Sequence, residues 1–420
     1  MLDLDFIRRH ADRVRLAIAQ KGVALDLDEV LCLDANLRSA RSRLDALRAE
    51  KNSLSEGYAA LPLESRAERG RRSGALSIEI RAAELNVDAA AQALQQRLLL
   101  VPNIPWEGAP VGPNDTTNIV LRQEGVPPAF SFPSRDHIEL VERNGWADLS
   151  RIARIAGSRT YCLKGRLALL EQALLFHVSG RMAALGFAPI AVPAIARERA
   201  FINTGHFPGG QDEAFQLPRD GLFLAGTAEV ALTSLHSGEI LHERDLPILY
   251  AGISPCFRRE AGSAGRDVRG LMRVHQFYKV EQYVICRADV EESALWHARL
   301  LANAEAVLRE LQLPYQVVEC STGDMGPGKV RQNDLETWIP SLGRYRETHS
   351  CSTLHDWQAR RARLRYRDRR GKVRFAHTLN NTAVATPRIL VPLLENHQTT
   401  DGGVMLPACL RAYFGGDLRL

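Results

Sequence analysis

The chain has 420 residues, 45% hydrophobic and 25% charged, which suits a soluble protein with two or three buried cores. Its net charge of +5 leans mildly towards an anionic partner and, taken alone, excludes neither nucleic acid nor a plain basic enzyme. The seven cysteines (Cys32, Cys162, Cys256, Cys286, Cys320, Cys351 and Cys409) stand singly, which excludes a regular disulfide framework or a clustered zinc set and suits reduced thiols.

The first residues, Met1-Leu2-Asp3-Leu4-Asp5, carry acid where a signal peptide needs an apolar core, and no apolar run is long enough to cross a bilayer. A cytoplasmic protein with no membrane partner is expected. A first helix should start at Asp26, with Glu29 completing a capping box. From there Val30, Leu33, Leu37, Ala40, Leu44, Leu47, Lys51 and Leu54 step by threes and fours. A turn over Gly57 to Leu63 follows, and Ser65 with Glu68 is expected to cap a second helix. There Leu76, Ile80, Ala83, Val87, Ala90 and Leu94 repeat the rhythm. The two together predict an antiparallel coiled-coil hairpin over about residues 27–100.

Such a hairpin by itself favours a dimerisation or spacer coiled coil over an RNA-gripping arm. The second reading draws on Arg38, Arg41, Arg43, Arg48 and Lys51 on the first helix, and on Arg66, Arg69, Arg71 and Arg72 near the turn. Beyond it, the Gly/Pro-rich stretch 107–134 reads as a stiff, irregular linker. An apolar helix is predicted over 165–185 and another over 290–311, with a last one starting near Pro387. Strands are predicted at 186–193, 222–224, 248–257, 274–285, 315–320 and 363–367. Short turns between strands predict an α+β domain on an antiparallel sheet. Domains are therefore expected at 1–106 and 135–420, joined by the linker.

Within that second domain, Leu224-Ala225-Gly226-Thr227-Ala228-Glu229 ends a strand and opens a helix. Its hydroxyl and carboxylate suit a small ammonium substrate or an ordinary helix cap. Next comes Phe257-Arg258-Arg259-Glu260. Alternation along a strand predicts that Arg258 and Glu260 project from one face, the first to fork onto a phosphate and the second to accept from an amine. The following loop holds Arg266, Arg269 and Arg273 among glycines, and then comes His275-Gln276-Phe277-Tyr278-Lys279-Val280-Glu281.

Gly323-Asp324-Met325-Gly326-Pro327-Gly328-Lys329-Val330 imitates a phosphate-binding loop. It has Val where a Mg²⁺-holding Ser or Thr belongs, and Pro327 removes an amide from the nest. A plain glycine turn is expected instead. Tyr345-Arg346-Glu347-Thr348-His349-Ser350-Cys351-Ser352 offers hard oxygen ligands in Glu347 and Ser350, or simply a polar sheet face. Finally, Thr378-Leu379-Asn380-Asn381-Thr382 gives small polar side chains. In Ala385-Thr386-Pro387-Arg388, the guanidinium of Arg388 could stack on a purine or pair with a surface acid.

In this order and spacing the segments resemble the class II aminoacyl-tRNA synthetases, and the seryl-tRNA synthetase family of bacterial type in particular, over essentially the whole chain. The resemblance implies a class II sheet flanked by helices, a tRNA-binding coiled-coil arm, and ATP-dependent attachment of L-serine to tRNA(Ser) through a seryl-adenylate, with tRNA(Sec) as a further substrate where it exists. It implies that Thr227, Ala228, Glu229, Arg258, Glu281, Asn380 and Thr382 hold serine. Arg258, Arg259, Glu260, Arg273, Val274, Phe277, Glu347, Thr348, His349, Ser350 and Arg388 would hold ATP. Catalysis is assigned to Arg258, Glu260 and Arg388, and Mg²⁺ to Glu347 and Ser350; no zinc is expected. Arg38, Arg41, Arg48, Arg66, Arg69, Arg71 and Arg72 would contact tRNA, and Pro193 would lie at a homodimer interface.

The sequence departs from the family pattern in Ala-Thr-Pro-Arg at the last motif, in Asn381-Thr382 for a common Gly-Ser, and in Ala225-Gly226 for a common Ile-Pro. Every charged group of the motifs is kept. The rival readings are a carrier-protein ligase, which the intact hairpin disfavours, a non-catalytic RNA- or partner-binding paralogue, which the complete charged set disfavours, and a synthetase for another amino acid.

Overall fold

The computed structural model describes residues 1–56, 62–261 and 270–420, with Leu63 by its backbone alone. The middle of the expected hairpin turn, and Arg266 and Arg269, lie outside the described residues. The chain divides into two compact units: Leu2–Ala19 with Val23–Pro102, and Asn103–Leu420 with Met1 and Gln20–Gly22.

In the first unit, helices Leu27–Ser55 and Leu63–Leu98 are roughly 45 and 55 Å long at about 1.5 Å per residue. The expected apolar stripe is the buried one: Leu44, Leu47, Leu76 and Ala83 form a core against which Leu54, Ile80 and Val87 pack. Arg48 pairs with Glu84 and Arg72 with Glu50, so the helices run antiparallel. The caps differ from expectation. Asp26 accepts from the amide of Asp28, but Glu29 turns outward to Arg97 at 2.8 Å. The second helix begins at Leu63 behind Pro62, which leaves Ser65 and Glu68 inside it rather than capping it.

The second unit is built on an eight-stranded sheet. In chain order its strands are β1 (Ile119–Glu124), β2 (Ala188–Ala191), β3 (Ile248–Phe257), β4 (Gln276–Cys286), β5 (Tyr315–Glu319), β6 (Arg331–Ile339), β7 (Arg344–His355) and β8 (His377–Thr386). They lie in the order β1-β5-β6-β7-β8-β4-β3-β2, antiparallel throughout except for the parallel pair β2 and β3. One face carries Val280, Val284, Leu335, Leu379 and Ala383. It is covered by helices Gly165–Ala184 and Val290–Glu310 through Leu170, Leu174, Val178, Leu300 and Leu308. Alternation then sends Lys279, Glu281, Asn380, Thr382, Ser350 and Ser352 to the opposite face, where they line a cleft.

Four elements depart from the sequence reading. The stretch expected as an irregular linker contributes β1, an edge strand; all six of its residues are exposed, so no alternation marked it. β6 and β8 were not foreseen. β8 is buried on both faces and rich in small polar residues, so it lacks the β-branched alternation that announces a half-buried strand. The last helix starts at Leu390, which leaves Pro387 and Arg388 in the turn before it. The residues imitating a phosphate-binding loop form a turn between β5 and β6, with no helix to follow.

Candidate active site

The cleft floor is set by β4 and β8. Lys279 and Glu281, two residues apart on β4, are both buried, and the Lys279 ammonium pairs with Oε2 of Glu281. Asn380 Nδ2 donates to Oε1 of Glu281 at 3.0 Å and lies 3.5 Å from Oε2 of Glu229. Gln358 Nε2 donates to the other oxygen of Glu229 at 2.6 Å. Thr382 lies directly across the ladder from Glu281.

Two polar atoms of this floor are buried without a hydrogen-bond partner among the described residues: Asn380 Oδ1 and Ser352 Oγ. Glu281 Oε2 is satisfied by the Lys279 ammonium. Unsatisfied buried polar atoms cost on the order of 1–3 kcal/mol each, so a pair of them in one cleft marks a place for a small polar ligand.

One wall is the loop after strand Leu222–Leu224. Thr227 Oγ1 accepts from the amide of Glu229 at 3.2 Å, opening the helix Glu229–Leu235. Ala228 does not face the cleft. It packs into the core, and a Cβ at Gly252 of β3 would come within 2.9 Å of the Ala228 methyl. The small residue therefore lets the loop lie flat on the sheet, while its two neighbours face the ligand space.

The other wall follows β3. The strand ends at Phe257, so Arg258, Arg259 and Glu260 lie beyond it, and Glu260 has φ of +53°. Strand alternation is therefore not what brings Arg258 and Glu260 to the cleft; a left-handed residue in a turn does so. Arg258 Nε donates to the carbonyl of Gly226 at 3.4 Å, and its guanidinium lies 5.2 Å from the centre of the Phe277 ring. Glu260 pairs with Arg273 at 3.3 Å. Arg259 turns away and donates to the carbonyl of Asp212.

At the far end, Arg388 donates to the carbonyl of Met272 at 3.2 Å and pairs with Glu347 at 3.7 Å, and burial lowers its pKa. Val274, Phe277, Glu347, Thr348, Ser350, Pro387 and Arg388 line this end. His349 does not: it is a buried residue of β7, bonded to Thr348 and to the carbonyl of Ala383, and held neutral by burial with its pKa down to about 4. The buried carboxyl of Asp334 lies across the ladder from Ser350, and burial followed by the Glu347 charge pushes its pKa up to about 7.

Sequence reasoning missed Lys279, Ser352 and His206, which also line the cleft. Lys279 and Ser352 were within reach of the alternation rule from Glu281 and Ser350. His206 lies in a segment without periodicity. Among the described residues, Cys320, Asp324 and Asp334 bring metal-ligating atoms within 4.8 Å of one another, outside the assigned motifs.

Comparison with known proteins agrees with this geometry. Residues 215–397 match the tRNA synthetase class II core domain (G, H, P, S and T), and residues 1–105 the seryl-tRNA synthetase N-terminal domain. The sheet and its cleft are those of a class II aminoacyl-tRNA synthetase. A serine–tRNA ligase from Deinococcus radiodurans is 52% identical over 99% of this chain and 98% of its own. One from Acidothermus cellulolyticus is 42% identical over all of this chain and 99% of its own. The chain belongs to the serine–tRNA ligase (seryl-tRNA synthetase) family. Among solved structures, a seryl-tRNA synthetase from Pyrococcus horikoshii complexed with ATP superposes with a TM-score of 0.92 at 36% identity, covering 99% of this chain and 98% of that one.

Proposed function

We propose that this protein activates L-serine with ATP and transfers it to tRNA(Ser). The observation that carries the reading is the buried floor of Lys279, Glu281 and Asn380 with its orphaned polar atoms. A carboxylate fixed by a neighbouring ammonium and an amide suits the ammonium and hydroxyl of a small amino acid. A pocket built to hydrogen-bond a hydroxyl rejects alanine, whose methyl would leave it unpaired.

Serine is assigned to Thr227, Glu229, Glu281, Asn380 and Thr382, with Ala228 packing their loop. Adenine is assigned to the space between Phe277 and Arg388, with Glu260 accepting from its amine and Val274 beside it. Arg258 is assigned to the α-phosphate and Arg273 to the departing pyrophosphate. The serine carboxylate then attacks the α-phosphorus, pyrophosphate leaves, and the 3′-hydroxyl of the terminal tRNA adenosine attacks the activated carbonyl. The protein's part is positioning and charge stabilisation rather than covalent catalysis.

Glu347 and the Ser350 hydroxyl are hard oxygen donors at the phosphate end, and they fit Mg²⁺. When bound, the ion offsets phosphate charge.

The hairpin is assigned to tRNA. Its support is the set Arg41, Arg43 and Arg71, which are exposed and carry no partner among the described residues. Arg38, Arg48 and Arg72 are already paired with acids, and Arg69 donates to the carbonyl of Glu56. Because β1 joins the sheet of the second unit, the stretch 107–134 belongs to that domain rather than to a linker, and we assign domains at 1–106 and 107–420 and a cytoplasmic location. We also assign a homodimer through the region of Pro193, supported by the exposed apolar side chains of Ile195 and Phe176. Serine-dependent ATP–pyrophosphate exchange, run against all amino acids without tRNA, tests the central reading. Exchange with serine alone is the expected result, and no exchange with any amino acid overturns it.

A further inference from the structure

Lys21 is buried and belongs to the second unit, although the chain on either side of it, Leu2–Ala19 and Val23–Pro102, forms the first. Its ammonium donates to the carbonyls of Gly326 at 3.2 Å, of Pro327 at 3.0 Å and of Lys329. An ammonium has three protons to give, and all three are used. Asn103 completes the set: its amide donates to the carbonyl of Pro327 at 2.8 Å, and its side chain to that of Gly328 at 3.1 Å. The four successive carbonyls of the turn between β5 and β6 are thus held by Lys21 and Asn103. This is the turn that imitates a phosphate-binding loop.

The turn matters because Gly326, Pro327, Gly328 and Lys329 line the cleft. Gly328 lies flat on the indole of Trp357, where an added Cβ would come within 2.6 Å of the ring. Gly205 abuts the same indole, with 2.2 Å left for a Cβ. Trp357 opens the helix Trp357–Ala362, and the next residue, Gln358, donates to Oε1 of Glu229 at 2.6 Å while accepting from Thr378 at 2.8 Å.

We propose that Lys21 is a positioning residue for the serine end of the cleft: it fixes the turn 326–329, the turn fixes Trp357, and Gln358 beside it sets the carboxylate of Glu229. The inference rests on the proposed function, which assigns Glu229 to serine. A buried ammonium answered only by carbonyls is costly to keep, and burial lowers the Lys21 pKa to about 7 with help from the charge of Lys329. Without it, three carbonyls lose a donor and must turn towards water, which takes Gly328 off the indole. Arg388 and Glu347, at the other end of the cleft, lie outside this route, so the effect should fall on serine rather than on ATP.

Two substitutions test the route from its two ends in serine-dependent pyrophosphate exchange. Lys21→Met keeps the aliphatic stem and removes the ammonium. The KM for serine should rise at least about fivefold, with the KM for ATP within about twofold. Gly328→Ala leaves Lys21 in place and pushes the indole with a methyl, and it should raise the KM for serine in the same direction. The double variant should show less than the product of the two effects, because both act through one contact. Equal rises in both KM values, or effects that multiply as independent ones do, would overturn the inference. Should Lys21→Met fail to fold, an unchanged KM for serine in Gly328→Ala would overturn it as well. Absence of serine exchange in the unsubstituted protein would overturn the proposed function, and the inference with it.

Discussion

Asn380 and Glu281 meet on a diagonal of the β8–β4 ladder: the amide donates to Oε1 at 3.0 Å, while the Lys279 ammonium pairs with Oε2. The carboxylate is thus held from both sides at the bottom of the cleft, without a rotamer to search for when substrate arrives. Pre-organised charge of this kind is worth more than a mobile carboxylate, because its ordering cost is met on folding.

Glu281→Gln keeps the shape but leaves the buried Lys279 ammonium without its counter-charge. The expected result is a fall of about a hundredfold in kcat/KM for serine, with the KM for ATP changed less than about threefold. Exchange kinetics with each substrate varied in turn would decide it. An equal rise in both KM values would place Glu281 in the fold rather than in serine recognition.

Thr382→Val replaces a hydroxyl by a methyl of nearly the same volume. If the hydroxyl reads serine, the KM for serine should rise about tenfold and discrimination against alanine should shrink. A competition assay with both amino acids checks this. Unchanged discrimination would assign selection to Glu281 and Glu229 instead.

Arg258→Ala is expected to reduce adenylate formation by at least about a thousandfold, because the guanidinium is assigned to charge that develops on the phosphate. Among the described residues its side chain bonds weakly, to the carbonyl of Gly226 at 3.4 Å and over the Phe277 ring at 5.2 Å, so the melting temperature should change little. Near-normal exchange would refute the assignment.

Arg41→Glu with Arg71→Glu reverses two exposed cations that carry no partner among the described residues. Charging of tRNA should weaken, and its salt dependence should become shallower by about two counter-ions, with tRNA-independent exchange unaffected. The same reversal at Arg48, already paired with Glu84, should cost less per charge while loosening the hairpin. Equal effects at paired and free positions would argue for a general field rather than contacts.

Burial holds His206, His297, His349 and His377 at a pKa of about 4, below the usual 6.5. Between these values the unfolded chain binds protons that the folded protein refuses. Stability from this source is therefore fully present above about pH 6.5 and is lost as pH falls towards 4, by up to about 1.4 kcal/mol per unit for each group. Thermal unfolding should move to lower temperature from pH 7 to pH 5. His297, bonded to Thr353 and Asn333 at 2.8 Å each, is the position to replace by Gln, which should flatten the dependence. A pH-independent melting temperature would contradict the sign.

The sequence by itself determined the hairpin, because three-four spacing of Leu and Ala is read locally and needs no distant partner. It also determined the charged members of the site, since Arg258, Glu260, Glu281, Glu347 and Arg388 stand in motifs recognisable from residue type and spacing. Tertiary structure alone decided how they meet. The left-handed turn at Glu260 replaced strand alternation, and the cross-strand neighbours of β4 and β8 turned Asn380 into a partner of Glu281. β1 and β8 were silent for a related reason. An edge strand exposed on all sides, and a strand buried on both faces, carry no two-residue rhythm, because that rhythm records a boundary between core and water that these strands do not straddle.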